Sequence, residues 1–411
     1  MADIRHLLKT LGSFVVPREY SLRNLRHKHL KAKVVAIIPT YRPSQSTFQL
    51  VVDLIAWNPR LSVLVVNDCS PLESDVYLNK LIGLTHITSQ IEIIRTPQNV
   101  LKAGALNYGL EYLKTMKEKP RVVLTFDDDI IIDKIAIGQM VETLLKNDKL
   151  GAVCSQVRVK NKNKNLLTRL QALEYYNFNI VKLAEYGFIR GPLVMQGMLS
   201  GFQYRALEEA KGFSAECLIE DYHITAKLKK LGWEVGVAPK AVAWTYVPET
   251  FPHLWKQRVR WTYGGLTVLR DFYNYLPAIF QDIIGHALFL AALVTIVLSF
   301  LLPAEGVNSG LVKIVVLTAL AQFVIGFSFN VYMLTANPDT DRKDWLVRLA
   351  IIPELVYSNA LSLVMLGSYL FFIYRTLSAK LLKRLPAYGI INSTGLRLFG
   401  AFGYTTGWGT R

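Results

Sequence analysis

Carboxylate side chains closely follow two apolar runs of the chain. Asp68 follows one run, and Asp127, Asp128 and Asp129 directly follow another. Like charges placed side by side oppose ionisation, and a bound divalent cation removes that cost. Carboxylate oxygens suit Mg²⁺ or Mn²⁺, which commonly bridge one or two carboxylates to the phosphates of a substrate. The acidic triplet therefore indicates either a metal–phosphate site or an acidic turn in solvent.

Two further segments carry groups that could bind a phosphate or accept a proton. Lys102 lies at a predicted helix start, where backbone N–H groups and the helix dipole favour an anion. Glu220 and Asp221 precede another helical stretch, and either carboxylate could take the proton of a hydroxyl group within hydrogen-bond reach. The alternative for both segments is an ordinary helix start, at which the dipole favours acidic side chains.

A segment with the sequence QRVRW combines basic and aromatic side chains at residues 257–261. Arginines such as Arg258 and Arg260 can neutralise a leaving diphosphate. The tryptophan, Trp261, can stack on the apolar face of a sugar ring. The alternative is a basic and aromatic anchor beside a membrane.

Strand and helix patterns alternate through the first two thirds of the chain, and they must position these groups. Short apolar runs predict strands at 34–39, 61–67, 91–95, 121–126 and 151–158. Periodic patterns between them predict helices at 45–57, 103–116 and 134–146. This alternation predicts a doubly wound α/β sheet. Ligands bind such sheets beyond the carboxyl ends of the strands, which is where Asp68 and Asp127 are expected.

The last third of the chain contains three long apolar runs, at 283–302, 314–334 and 355–374. At 1.5 Å per helical residue, each can cross a hydrocarbon core of about 30 Å. They predict three transmembrane helices. The connection at 303–310 has no Lys or Arg, whereas 336–349 has three, so the α/β region is expected on the cytosolic side.

The basic tail at 375–411 complicates this topology. Its Lys and Arg residues also favour the cytosolic side, whereas three spans would place the tail outside. Either a fourth membrane passage lies within 386–404, or one of the three runs is re-entrant.

Composition limits the class of partner. The 411 residues carry a net charge of +16, and the mean hydropathy is +0.26. Such charge could serve nucleic acid, an anionic membrane surface or a phosphorylated substrate. Because the apolar runs indicate a bilayer and no nucleic-acid-binding motif is present, we expect membrane lipid and a phosphorylated substrate, and no nucleic acid. The three cysteines show no metal-type spacing.

The order of the motifs resembles that of processive family 2 glycosyltransferases, a family that includes cellulose, chitin, hyaluronan and poly-N-acetylglucosamine synthases. The motifs are Pro39-Thr40-Tyr41, Asp68, KAGALN at 102–107, Asp127-x-Asp129, Ser200-Gly201, Glu220-Asp221 and Gln257-x-x-Arg260-Trp261. The resemblance covers roughly residues 34–265. Details around 248–265 are most similar to poly-β-1,6-N-acetylglucosamine synthases.

The resemblance implies a GT-A-type nucleotide-sugar-binding domain that inverts the configuration of a UDP-sugar. The donor would be bound by Pro39, Thr40, Tyr41, Asp68, Lys102 and Asp127. Mg²⁺ or Mn²⁺ would be held by Asp127 and Asp129. Asp221 would be the catalytic base. The acceptor end and the pyrophosphate would be bound by Glu220, Gln257, Arg258, Arg260 and Trp261.

The expected reaction adds a sugar, N-acetylglucosamine by the closest resemblance, to a growing β-linked polysaccharide. One alternative is a membrane glycosyltransferase that makes one or few transfers to a lipid-linked acceptor. Another is a transporter or scaffold with a degenerate α/β domain, which the intact Asp127, Asp129 and Asp221 disfavour.

These expectations describe a multi-pass protein of the cell membrane with a cytosolic catalytic domain. Its expected parts are a basic, membrane-surface N-terminal segment (1–33), the glycosyltransferase domain (34–265), an interface helix (266–282), the transmembrane region (283–374) and the basic tail (375–411). Three helices pack too closely to leave a pore for a sugar chain. Secretion of the polymer would therefore need a homo-oligomer, a small membrane subunit, or transfer of a lipid-linked product to another protein.

Overall fold

The computed structural model describes residues 33–71, 75–185, 190–301, 309–337, 339–380 and 388–404. The predicted basic segment 1–33 therefore lies outside the described residues, apart from Lys33. Within the described chain, eight strands form one sheet. The strands are β1 (Val34–Thr40), β2 (Leu61–Asn67), β3 (Ile91–Arg95), β4 (Val122–Phe126), β5 (Ile131–Ile132), β6 (Leu150–Val159), β7 (Leu199–Gln203) and β8 (Glu234–Thr245).

Helices connect the strands and continue beyond the sheet. Those of the α/β region are α1 (Gln45–Trp57), α2 (Val76–Thr85), α3 (Leu101–Thr115), α4 (Ala136–Leu145), α5 (Leu166–Glu185), α6 (Tyr204–Glu209) and α7 (Glu220–Lys230). Those that follow are α8 (Phe251–Asp271), α9 (Leu276–Leu301), α10 (Ser309–Ala336), α11 (Arg342–Ala350), α12 (Ile352–Lys380) and α13 (Tyr388–Ala401).

The sheet has the order β3-β2-β1-β4-β7-β6-β8-β5. The first four strands are parallel, as the sequence predicts, and the register places Thr40 beside Asn67 at the carboxyl ends of β1 and β2. Strand β7 runs antiparallel to both β4 and β6, so the sheet is mixed. The carboxyl end of β4 therefore meets the start of β7, and this junction is where the acidic triplet lies.

Helices cover both faces of the sheet, which confirms the α/β architecture. One apolar layer contains the buried side chains of α1 and α4, and the other contains those of α3, α6 and α7. Helix α1 illustrates the local cause. Leu50, Val51 and Leu54 form one apolar stripe at helical spacing, and Ser44 caps the first turn through its side-chain oxygen.

The three predicted membrane spans fall within helices α9, α10 and α12, except for residue 302, which lies outside the described residues. Among the described residues, one segment, Ile352–Ser378, is long and apolar enough to cross a membrane by length and composition. Helix α13 has 14 residues and extends about 21 Å, which is shorter than a hydrocarbon core of about 30 Å. The rest of the predicted topology stays a prediction.

The prediction of one helix over 266–282 is wrong in its extent. Helix α8 continues to Asp271, and α9 begins at Leu276 after a turn in which the N–H of Tyr275 donates to the carbonyl of Phe272. Pro277 explains the break, because proline has no N–H to donate and is tolerated in the first turn of a helix but not within one.

A buried charge cluster joins the α/β region to α11. The Arg169 guanidinium lies 2.7 Å from Asp341 and 2.5 Å from Asp344, and Lys162 Nζ lies 2.9 Å from Asp344. Asp344 is fully buried. A buried carboxylate needs such partners, so the pairs fix the first turn of α11 against α5 and the residues before α5.

Candidate active site

Polar side chains from three strand ends meet at the carboxyl edge of the sheet. The Thr40 hydroxyl at the end of β1 donates to Asp128 Oδ2 at 2.7 Å. The N–H of Asp68, after β2, donates to the carbonyl of Thr40 at 2.8 Å. Thr40 thus contacts both segments, Asp128 through its hydroxyl and the backbone of Asp68 through its carbonyl.

Asp68 is 4% exposed, and its carboxylate organises the loop that leads into α3. Oδ1 accepts from the Thr96 hydroxyl at 2.9 Å and from the Val100 N–H at 2.8 Å. Because Lys102 follows in the first turn of α3, the Asp68 contacts help to set where that lysine lies.

Two other residues that the sequence predicts to bind the nucleotide sugar lie beside this edge. Pro39 is in β1, opposite Val66 of β2. Tyr41 is half-buried directly after β1, and the guanidinium of Arg42 lies 5.4 Å from the centre of its ring.

Lys102 links the acidic triplet to α7. Its Nζ lies 2.5 Å from Asp127 Oδ1 and 2.7 Å from Glu220 Oε1, and it donates to the carbonyl of Gly197 at 3.4 Å. Burial alone would lower the pKa of Lys102, but the carboxylates of Asp127 and Glu220 outweigh it and raise the pKa above its usual range. The lysine is therefore a fixed positive charge between two predicted subsites.

Asp221 and Glu220 are adjacent but have different environments. Asp221 Oδ2 accepts from the Gly197 N–H at 3.0 Å, and Oδ1 accepts from the Tyr222 N–H at 2.8 Å. Burial, with the neighbouring charge of Glu220, raises the pKa of Asp221 to about 6. Burial would also raise the pKa of Glu220, but Lys102 reverses this and lowers it. Glu220 therefore stays charged, whereas Asp221 is the stronger base of the two.

Sequence reasoning missed the loop before β7, which connects both groups. Gly197 donates to Asp221 and accepts from Lys102, and the carbonyl of Met198 accepts from the Asp127 N–H at 2.9 Å. A Cβ at Gly197 would lie 3.1 Å from Lys102 Nζ and 3.2 Å from Asp221 Cβ. The one sequence signal of this close approach was a glycine two residues before β7.

The QRVRW segment lies on α8, beside α7. Gly264 of α8 is close to Ile219, where an added Cβ would lie 3.0 Å from that side chain. Burial raises the pKa of Glu220, and the charge of Lys102 lowers it. The charge of Arg260 adds a smaller lowering effect, so Arg260 acts on the acidic cluster. Gln257 Oε1 is buried and lacks a hydrogen-bond partner among the described residues.

Arg258 lies elsewhere. Arg258 is 4% exposed, and its guanidinium pairs with Glu174 at 2.6 Å and lies 4.3 Å from the ring centre of Trp261. Trp261 is half-buried and also contacts the ring of Tyr175. Arg258 thus forms its ion pair with Glu174, and a direct contact between Arg258 and a substrate stays a prediction.

The chemistry of the acidic triplet fits a divalent cation. Burial raises the pKa of Asp127, Lys102 opposes the rise, and Asp129 adds to it, so these two carboxylates repel each other. In the described part of the chain, no group of three or more His, Cys, Asp or Glu side chains is arranged so that it could hold a metal ion. An open site with two carboxylates suits Mg²⁺ or Mn²⁺, which take their other ligands from phosphates and water.

Family models match most of the chain. The model described as "Glycosyl transferase family group 2" matches residues 122–375, and "Glycosyl transferase family 2" matches residues 35–204. Curated relatives include poly-beta-1,6-N-acetyl-D-glucosamine synthases. One from Staphylococcus epidermidis is 35% identical over 176 residues, which is 42% of this chain and 41% of the relative. One from Staphylococcus aureus is 27% identical over 245 residues, 59% of this chain and 57% of the relative.

The chain therefore aligns with about half the length of these curated relatives. Among solved structures, the mannosyltransferase PcManGT from Pyrobaculum calidifontis, in complex with GDP-Man and Mn²⁺, has a TM-score of 0.50 and 18% identity over 80% of this chain and 93% of its own. That likeness concerns the fold. The family matches and the fold agree: the chain is a member of glycosyltransferase family 2, built on an α/β, GT-A-like domain with a mixed sheet.

Proposed function

We propose that this glycosyltransferase transfers N-acetylglucosamine from UDP-N-acetylglucosamine to the end of a growing β-linked polysaccharide, with inversion at the anomeric carbon. The observation that carries the proposal is the geometry of Asp221, a partly buried carboxylate with a pKa of about 6 that shares Gly197 with Lys102. The names of the relatives from Staphylococcus supply the sugar and the polymer.

The proposed step is a single displacement. Asp221 accepts the proton of the acceptor hydroxyl while that oxygen forms a bond to the anomeric carbon, and the bond from this carbon to the diphosphate breaks, releasing UDP. Glu220 stays ionised because it pairs with Lys102 at 2.7 Å. The two adjacent carboxylates therefore have different roles: Asp221 is the base, and Glu220 is the charge partner of Lys102.

The donor end of the site contains Thr40, Asp68, Asp127 and Asp129. We assign Asp127 and Asp129 to the diphosphate and to Mg²⁺ or Mn²⁺. The solved mannosyltransferase in complex with GDP-Man and Mn²⁺ supports a divalent cation. When bound, the cation neutralises charge on the departing diphosphate. The acceptor end contains Gln257, Arg260 and Trp261 on α8, which lies beside Glu220.

We further propose that the chain is a multi-pass membrane protein whose catalytic domain faces the cytosol. The apolar segment Ile352–Ser378 supports membrane attachment. The pairs of Lys162 and Arg169 with Asp344 place the connection between α10 and α12 against the catalytic domain. That connection is the basic one, which the positive-inside rule assigns to the cytosol. A second copy or a small membrane subunit would complete a path for the polymer.

A panel of donors tests this function. The purified chain is given UDP-N-acetylglucosamine, UDP-glucose or GDP-mannose with Mg²⁺ or Mn²⁺, and nucleotide release is measured. We expect UDP-N-acetylglucosamine to be consumed fastest and EDTA to stop the reaction. Preference for another donor would contradict the assigned sugar. Transfer that ends after one or few sugars on a lipid would instead support the lipid-acceptor alternative.

The pH dependence of transfer tests the base. Only deprotonated Asp221 can accept a proton, so activity is present above its pKa and is lost as the pH falls through about 6. We expect kcat/KM, which reports groups of the free enzyme, to fall about tenfold per pH unit below that value and to be level above it. A flat profile between about pH 5 and 8 would contradict the assignment of Asp221 as the base.

A further inference from the structure

Three side chains from three helices meet beside Trp261. Glu174 Oε2, on α5, accepts from Arg258 Nη2, on α8, at 2.6 Å and from the Tyr357 hydroxyl, on α12, at 2.6 Å. Arg258 Nη2 also lies 3.3 Å from the Tyr357 oxygen. The carboxylate of Glu174 therefore joins α5 of the catalytic domain to α8 and to the apolar helix α12.

The indole of Trp261 is held by the same groups. Arg258 lies one turn earlier on α8, so its guanidinium reaches over the ring at 4.3 Å from the centre. Tyr175, next to Glu174 on α5, approaches Trp261 at 6.5 Å between ring centres. A change in the position of Glu174 would therefore be transmitted to the indole through Arg258 and Tyr175.

The hydrogen bonds between these side chains orient the side chains more than they stabilise the fold. A buried ion pair adds little stability beyond that of apolar packing, since both charges lose water. Its hydrogen bonds, in contrast, are directional, and the carboxylate of Glu174 fixes both the plane of the guanidinium and the place of the tyrosine.

We propose that Glu174, Arg258 and Tyr357 form a positioning triad that couples α12, the helix that can cross a membrane, to Trp261 in the acceptor site. This inference rests on the proposed function, because it assigns the triad to elongation. Glu174 and Tyr357 act through Arg258 and Trp261 and contact no reacting atom. The triad would hold the indole ready for the next sugar while α12 holds its place in the bilayer.

The Tyr357→Phe variant tests the triad, since it removes one hydroxyl and keeps the ring. With UDP-N-acetylglucosamine and a short oligosaccharide acceptor, we measure UDP released by hydrolysis, sugar polymerised and product length. We expect the ratio of hydrolysis to polymerisation and the KM for the acceptor to rise about fivefold, as for one lost hydrogen bond, with shorter products. Glu174→Gln should change them in the same direction, and Trp261→Ala more strongly.

The matched control is Tyr374→Phe on the same helix, which removes a hydroxyl that donates to the carbonyl of Asn392 at 3.2 Å. It should keep the wild-type ratio. Wild-type behaviour of both Tyr357→Phe and Glu174→Gln would overturn the triad, as would an equal loss of hydrolysis and polymerisation in both. A wild-type enzyme that never elongates would overturn the proposed function, and this inference with it.

Discussion

The Asp221→Asn variant should bind the donor and fail to transfer the sugar. Asparagine keeps the shape of the side chain, and its one oxygen can accept from either the Gly197 or the Tyr222 N–H, but it cannot take a proton at neutral pH. We expect kcat to fall about 10²- to 10⁴-fold, which is the usual contribution of a general base. Calorimetry with UDP and Mn²⁺ should give a Kd close to that of the wild type, which would show that the fold and the donor site survive.

Glu220→Gln is the matched comparison, because it makes the same chemical change one residue earlier. Glu220 pairs with Lys102 and has a lowered pKa, so it should act as a charge partner and not as the base. We expect a smaller loss of kcat and an acid limb that remains but moves to lower pH, because burial and then the charge of Glu220 raise the pKa of Asp221. If Asp221→Asn turned over at the wild-type rate, or if Glu220→Gln alone abolished transfer, the roles assigned here would be wrong.

The Lys102→Met variant should lose both stability and activity. Methionine keeps most of the length of the side chain but leaves Asp127 and Glu220 without their shared cation. Uncompensated polar groups of this kind cost roughly 1–3 kcal/mol of unfolding free energy. Burial and the charge of Glu220 raise the pKa of Asp221, and the charge of Lys102 lowers it. Removal of Lys102 should therefore raise this pKa further and move the acid limb of the pH profile to higher pH.

Lys114→Met provides the control on the same helix. Lys114 Nζ lies 2.5 Å from Glu111 Oε1, but this pair is on the surface, where such pairs contribute about 0–1 kcal/mol. Denaturant unfolding and kcat measured across pH should separate the two variants clearly. Equal stability and an unshifted pH profile for Lys102→Met would show that the lysine does not organise the site.

The parallel half of the sheet was predictable because its strands are short apolar runs. Strands β2 and β3 and helix α1 match their predicted ranges in full. In the other half, β6 was predicted at 151–158, but β5, β7 and β8 were not, since these strands are very short or interrupted. Strand β7 contains Ser200 and Gly201, and β8 contains Pro239 and pairs with β6 through register shifts. Such interruptions remove the pattern by which strands are recognised.

The candidate site also contains features that the sequence predicts and features that it does not. The position of Asp68 and Asp127 at strand ends follows from the apolar runs before them. The pairing of Lys102 with Glu220 does not, because it depends on β7 lying antiparallel between β4 and β6. Glu174 and Tyr357 carried no local signal, since each lies within a helix and acquires its partner only when three helices pack together.

The product formed from UDP-N-acetylglucosamine by the purified chain tests the central claim most directly. Mass spectrometry of the reaction should show a ladder of products that differ by single N-acetylhexosamine units, and proton NMR should show β-anomeric linkages throughout. Loss of this ladder in Asp221→Asn would connect the product to the site. A product with α-linkages, or no transfer from this donor, would contradict the account.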